Sequence, residues 1–422
     1  AENMVIEQTH GALEGLLTAR LGTQTPKFRH LGWEGDTVFR QNRMMEWGNW
    51  GQNLRGAGAT TVVTWFGQVE ALDPTRTPEA FAEAYEKLLL EFAQVTPRIV
   101  VLGPPPFEKP MDPRVRDNTG LNPRLVRFAG AAEAIARRHG FVYVDLLGLR
   151  APAGERLTRD GLHFTAAGAR LVGAAIADRL QTGAGEPGEA LRAAIVEKNR
   201  LWFDTWRCMN WAFAYGDRTT QPFAKGAPNH PSFVDELRQH QPRLAHADAV
   251  IRALATGQPA PPAPPALPAR ADPPAPTPAE QLAGFKVRPG FKVNLFADET
   301  LGVIRPVQIR WDERGRLWVA CTPAYPQLQP GEHGRDFILV LEDVDGDGKA
   351  DKSWRFAEGL TMPLGFEFVP VETGGGLYVV ESTQLVHLPD RDADGKADGR
   401  ATILSGFGTG DTHQDANSLR WG

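Results

Sequence analysis

Two short patterns in this 422-residue chain hold reactive side chains at spacings that let them act together. In DGLHFTAAG at 160–168, Asp160 and His163 form a D-x-x-H pair immediately ahead of a helix-like run. An imidazole that takes a proton from a hydroxyl needs a carboxylate to fix its tautomer and to stabilise the imidazolium. One loop carrying both residues presents them at the carboxyl end of a parallel sheet, where open α/β sheets bind ligands. Taken alone, the pair suits a loop aspartate and a surface histidine just as well, so the surrounding elements decide. The second pattern is DVDGDGKAD at 343–351, which returns 47 positions later (343 to 390) as DRDADGKAD at 390–398. Alternating carboxylates followed by glycine can wrap Ca²⁺. Asp343, Asp345, Asp347 and Asp351 fall at loop positions one, three, five and nine, as do Asp390, Asp392, Asp394 and Asp398. Position twelve is Trp354 in one loop and Ala401 in the other, so a further segment has to complete the shell. A polar turn in which Asp and Gly serve the backbone is the competing reading, and the repetition favours calcium.

The elements that must position these residues follow from periodicity. TTVVTWF at 60–66, RIVVLG at 98–103 and FVYVDLL at 141–147 read as strands. They alternate with amphipathic helices, the pattern of a parallel sheet covered by helices. One helix opens at Thr77-Pro78 and sets Phe81, Tyr85, Leu88, Leu89 and Phe92 on one face. A second runs from Asn122-Pro123 to Gly140, and a third follows Thr165. Residues 186–257 read as a helical extension whose Trp202, Phe203, Trp206 and Trp211 make a packing stripe. Lys198, Asn199, Trp206, Arg207 and Asn210 have two readings, helix packing and, second to it, sugar contacts over the site. A proline-rich linker spans 258–284, with ten prolines in the 22 positions 258–279 and a reach of roughly 65 Å. Residues 285–422 are strand-like, and their 47-residue period (343 to 390) suits propeller blades. The first and last residues read as cut edges of a longer protein.

Composition narrows the function classes. A net charge of −5 with 23% charged residues leaves no basic footprint for nucleic acid. No run approaches the length of a membrane helix. Cys208 and Cys321, on opposite sides of the linker, define no disulfide framework.

Residues 1–185 resemble the SGNH (GDSL-type) hydrolase superfamily. LGWEGDTV at 31–38, WFGQVEAL at 65–72 and DGLHFTAAG at 160–168 occur in the order and rough spacing of its later blocks, and HGALEGLLTARLG at 10–22 is similar to its first helix. The resemblance implies a three-layer α/β domain with a parallel sheet. It implies Gly35 as an oxyanion N–H donor, Gly67 as the third-block glycine, His163 as general base and Asp160 as its orienting partner. Two departures stand out. The family's serine turn corresponds here to AENMVIEQ, and the first serine of the chain is Ser232. Gly67 is followed by Gln68, Val69 and Glu70 in place of an asparagine, with Gln68 as the substitute amide donor. Three accounts stand open: a serine before Ala1, a substitute such as Glu2, or a degenerate binder. Because AENMVIEQ leads directly into a helix, an altered turn is favoured, and with it an altered enzyme or binder over an ordinary esterase. Carbohydrate is the expected ligand, with removal of its acetyl groups as the enzyme reading and, as the alternative, a domain that only binds substrate for a sugar or polyol dehydrogenase activity residing in a complete propeller.

Residues 285–422 resemble the start of a membrane-bound dehydrogenase-type propeller, related to quinoprotein sugar dehydrogenases. GFKVNLFA at 290, PVQIRWDERGRLWVACTPAYP at 306 and GFGTGDTHQDANSLRWG at 406 carry the likeness together with the acidic loops. It implies a periplasmic or secreted protein acting on sugars or polyols, with pyrroloquinoline quinone only in a complete propeller and a cytochrome c module downstream. His413, ahead of Asn417, Leu419 and Gly422, is the carried-over base on a strand. No C-x-x-C-H haem motif occurs in the chain.

Overall fold

The computed structural model describes residues 2–24, 26–226, 231–265 and 276–421, with Glu2 and Phe223 as backbone only. Ala1, Gly422, residues 266–275 of the linker and the side chain of the alternative nucleophile Glu2 lie outside that description. The chain divides into two units, Ala1–Trp206 with Gln239–Pro265, and Arg207–Arg238 with Ala266–Gly422. The 186–257 segment therefore contributes to both units.

The first unit is built on a parallel sheet of three strands, β1 (Val62–Trp65), β2 (Ile99–Leu102) and β3 (Val142–Val144), in that order. Val62 lies opposite Ile99 and Val100 opposite Val142. Its helices are α1 (Glu2–His10), α2 (Ala12–Leu21), α3 (Trp50–Gly56), the short α4 (Gln68–Leu72), α5 (Pro78–Ala93), α6 (Asn122–His139), α7 (Ala166–Arg179) and α8 (Glu189–Trp206). Alternation along β2 sends Ile99 and Val101 to one face, where Phe81, Leu89, Phe128 and Ile135 of α5 and α6 cover them. Val100 and Leu102 face the other way, against Leu13 and Leu17 of α2 and Val172 and Ile176 of α7. This is the three-layer arrangement expected, and the Thr77 hydroxyl caps α5 through Ala80 N–H as the Thr-Pro signal predicts.

One expectation needs correction. AENMVIEQ is not a turn: α1 runs unbroken to His10, because nothing in its sequence stops a helix before Gly11. Gly11 breaks it at φ 60, with Val196 and Ile195 of α8 only 3.1 and 3.2 Å from where a β-carbon would stand.

Helix α8 is joined to the first two helices by charge as well as by packing. Lys198 Nζ lies 2.7 Å from Glu14 Oε1, with the side chains only 1% and 2% exposed. The ammonium also donates to the Phe28 carbonyl at 3.1 Å and to Asn199 Oδ1 at 2.7 Å, so each of its protons has an acceptor. Glu7, on α1, accepts from Leu13 and Glu14 N–H at 2.7 and 3.1 Å and so caps α2. Its Oε2 has no hydrogen-bond partner among the described residues.

The second unit holds α9 (Trp211–Ala214), the start of α10 (Phe233–Thr256), α11 (Pro278–Ala283) and two antiparallel four-stranded sheets. β4 (Pro306–Trp311), β5 (Leu317–Cys321), β6 (Asp336–Glu342) and β7 (Lys352–Leu360) form the first in sequence order. β8 (Pro363–Phe368), β9 (Leu377–Glu381), β10 (Gln384–Leu388) and β11 (Ala401–Ser405) form the second. Trp318, Ile338 and Phe356 share one core with Phe366, Val379 and Val386. The 47-residue repeat (343 to 390) is thus one sheet long, and each acidic loop joins the third strand of its sheet to the fourth. The all-β expectation holds as antiparallel sheet, but no closed propeller is found among the described residues.

Two measurements test these buried charges. Replacing Lys198 with Ala strands the Glu14 carboxylate and is expected to destabilise the first unit by about 3–5 kcal/mol in urea unfolding, whereas Lys198→Met combined with Glu14→Leu costs less. Burial is the main cause that pushes Glu7 up to about 8 from 4.5. Above 4.5 the unfolded chain releases that proton while the folded chain keeps it until about 8. Stability from this group therefore falls as pH rises through that window, by about 1.4 kcal/mol per unit, and Glu7→Gln is expected to remove the slope.

Candidate active site

The Asp160–His163 loop leaves β3 and ends at Thr165, whose hydroxyl caps α7 by accepting from Gly168 N–H at 3.0 Å. Asp160 does three things at once. Its Oδ1 accepts from the backbone N–H of Leu162 at 3.1 Å and of His163 at 2.8 Å, and its Oδ2 lies 2.6 Å from His163 Nδ1. Burial raises the Asp160 pKa, but the hydrogen bonds from His163 and Leu162 outweigh it and hold the carboxyl well below the usual carboxylate range. The aspartate is therefore ionised at neutral pH. It fixes the proton of the neutral ring on Nδ1, which leaves acid–base work to Nε2.

The loop is pinned from below by Glu108. That carboxylate accepts from Thr158 N–H at 2.8 Å, from the Thr158 hydroxyl at 2.6 Å and from Leu157 N–H at 3.3 Å. Gly161 sits at φ 93 with the Glu108 carbonyl 2.5 Å from a would-be β-carbon, so any side chain there pushes the dyad loop away.

The turns expected to face the dyad hang on another carboxylate, and this one is buried. Glu70 is 2% exposed and accepts from Gly67 N–H at 2.7 Å and from Val38 N–H at 2.8 Å. It thereby ties the turn after β1 to the 33–38 turn. Asp36 completes that turn by accepting from Trp33 N–H at 2.8 Å while Arg43 grips both of its oxygens at 2.7 and 2.9 Å. The Arg43 guanidinium in turn lies over Trp50 at 4.8 Å and Trp47 at 5.3 Å. Gly35 adopts φ 77, the left-handed region that favours glycine, and a β-carbon there would meet nothing within 4 Å.

Gly67 N–H is taken up by Glu70, and the Gln68 amide donates to the Pro105 carbonyl at 3.2 Å, so in this arrangement both residues hold the turn in place. Asn3 links this side to the dyad loop. Its amide nitrogen donates to Gln68 Oε1 at 3.2 Å and to the Leu162 carbonyl at 3.1 Å, and its oxygen accepts from Phe164 N–H at 2.8 Å. Asn3 is separated from these partners by 65 to 161 positions, and no local pattern marks it. Glu70 had a signal, a carboxylate inside an otherwise apolar WFGQVEAL run.

The sugar-contact reading of the helical extension is overturned. Lys198, Asn199, Arg207 and Asn210 are 2% exposed or less and Trp206 is 6%, each turned into packing. Asn210, in the second unit, is spent on Pro326 and Thr412.

In the acidic loops, Asp343, Asp345 and Asp351 bring one oxygen each within 4.8 Å of one another, and Asp390, Asp392 and Asp398 do the same. Asp347 and Asp394 do not join these groups and instead accept from Lys349 and Lys396 N–H, both at 2.8 Å. Trp354, at position twelve of the first loop, donates to the Gly395 carbonyl of the second at 2.9 Å. His413 lies on a single 3-10 turn, Thr412–Gln414, and not on a strand, because Asp411 caps that turn through His413 N–H. Its Nδ1 is 3.1 Å from Asp411 Oδ1.

Residues 277–422 match a family described only as a domain of unknown function, DUF7133. No curated protein sequence matches the chain. Among solved structures, an alpha/beta hydrolase enzyme from the metagenome of Lake Arreo, Spain, is 20% identical, with 40% of this chain and 82% of that one covered and a TM-score of 0.32. The native M. smegmatis aryl esterase is 20% identical over 40% and 86%, with a TM-score of 0.31. A carbohydrate acetylesterase from Sinorhizobium meliloti is 21% identical over 42% and 85%, with a TM-score of 0.33. Residues 6–171 match the GDSL-like Lipase/Acylhydrolase family, and this part of the chain is a GDSL-like lipase/acylhydrolase domain.

Proposed function

We propose that the first unit hydrolyses esters, with acetyl groups on carbohydrate as the substrate class. The observation that carries the reading is the Asp160–His163 contact of 2.6 Å on a loop that Asn3 joins to the turn at Gln68. An ionised carboxylate on Nδ1 makes Nε2 a general base. With water as the attacking group, the step needs no side-chain nucleophile beyond the base. His163 Nε2 takes one proton from that water as its oxygen adds to the ester carbonyl. Backbone N–H of the Gly35 turn stabilises the resulting oxyanion. The tetrahedral adduct then collapses, the C–O bond to the alcohol breaks, and the imidazolium returns its proton to the leaving alkoxide. Acid and alcohol are the products, with no change of oxidation state.

Extension to sugar oxidation is not supported, since His413 sits on a half-exposed 3-10 turn and not on the strand that reading needs. Calcium at the two acidic loops is a separate proposal, supported by the three oxygens gathered in each.

The purified protein is expected to turn over p-nitrophenyl acetate and acetylated xylo-oligosaccharides. His163→Ala should abolish the rate and Asp160→Asn should lower kcat by about 10²–10⁴-fold, while activity unchanged in His163→Ala would sink the reading. An acyl adduct on the protein, seen by mass spectrometry after rapid quenching, would replace the water step with a covalent one. For the acidic loops, calorimetric titration with Ca²⁺ should show heat that Asp345→Asn and Asp392→Asn each diminish, and absence of heat and of any thermal shift would remove calcium.

A further inference from the structure

We infer that Asn3 is a positioning residue for His163: its amide clasps the peptide groups on both sides of the histidine and sets their distance from the Gln68 turn. The inference rests on the ester-hydrolysis reading for its kinetic consequence, but its geometry stands apart from it. His163 is flanked by two peptide units. The carbonyl of the first, Leu162 O, accepts from Asn3 Nδ2 at 3.1 Å, and the N–H of the second, Phe164 N, donates to Asn3 Oδ1 at 2.8 Å. The remaining amide proton of Asn3 goes to Gln68 Oε1 at 3.2 Å.

Asp160 holds the histidine's own N–H and its ring nitrogen. Asp160 and Asn3 together therefore restrain the backbone on each side of His163 and the rotation of its ring. The ring carbonyl contact adds to this on the far side, since His10 Nε2 lies 3.3 Å from Phe164 O.

Asn3 is 5% exposed and spends both amide protons and one oxygen lone pair on the two loops. A packing role alone is served by an apolar side chain of the same size, without three hydrogen bonds to satisfy. An amide is the group that can donate to a carbonyl and accept from the N–H of the next peptide while reaching a third partner. Asn3 also belongs to α1, which Glu7 joins to α2 and the Asn199 amide joins to α8 through the Gln8 carbonyl, so the clasp is anchored to a packed helix. Positioning errors of about 1 Å at a catalytic base are costly, on the order of 10²-fold in rate.

Asn3→Ala removes all three bonds, and Asn3→Asp keeps the acceptor for Phe164 N–H while losing both donated bonds. Steady-state kinetics on p-nitrophenyl acetate should show kcat reduced about 100-fold in the first and about tenfold in the second, with KM within about twofold of wild type in both. NMR titration of the His163 ring should show a displaced midpoint in both variants, with circular dichroism confirming the fold. The inference is overturned if folded Asn3→Ala keeps wild-type kcat, or if kcat falls only with loss of folded protein while the His163 midpoint of Asn3→Asp stays at the wild-type value. If the wild-type protein shows no ester turnover, the ester reading fails. The ring titration then decides the positioning role alone, an unchanged midpoint overturning it.

Discussion

A backbone N–H turned away from water must find an acceptor, and in this protein the loops beyond the strands find theirs in carboxylates, buried at Glu70 and half-buried at Glu108 and Asp160. Glu70 takes N–H groups from Gly67 and Val38, Glu108 from Leu157 and Thr158, and Asp160 from Leu162 and His163. Asp336 does the same in the second unit for Ala324 and Met362. A carboxylate can serve two donors from segments far apart in sequence, and the bonds are charge-assisted. Burying the charge is costly, and the paired donors offset that cost only when both are in place. The loops and the acid that joins them therefore order together.

The same logic runs through the helices that precede and follow the sheet. A lysine that is 1% exposed is tolerable in α8 because Glu14, Phe28 and Asn199 each accept one of its protons. That helix also delivers Trp202, whose indole N–H donates to the His30 carbonyl at 2.6 Å, and Arg29 pairs with Asp248 of α10. The segment from Phe28 to Trp33 that leads into the Gly35 turn is thereby held by the helical extension. In sequence the extension looks like an appendage to a hydrolase domain, and in the structure it holds the segment that leads into the Gly35 turn.

In the second unit, repetition at the level of residues becomes repetition at the level of sheets. The two acidic loops join equivalent strands, and their first and last aspartates close each loop on itself: Asp351 accepts from Val344 N–H and Asp398 from Arg391 N–H. The carboxylates thus serve the backbone of the turn, which is what the polar-turn reading requires. The same fold of the loop leaves three oxygens close together at its mouth.

The sequence by itself determined whatever depends on local periodicity and on residues near one another in the chain. The three strands and the helices over them follow from alternating and helical spacing. The Thr77 and Thr165 caps and the D-x-x-H dyad are likewise short-range, so Asp160 and His163 could be paired before any coordinates were known. Tertiary structure decided what lies between distant segments. Asn3 meets its partners across 65 to 161 positions, and the Lys198–Glu14 pair spans 184. It also turned a supposed nucleophile turn into α1 and withdrew Lys198, Asn199, Arg207 and Asn210 from the surface. Such partners are chosen by which buried polar groups remain unsatisfied once the layers close, and that is settled only when the whole unit has packed.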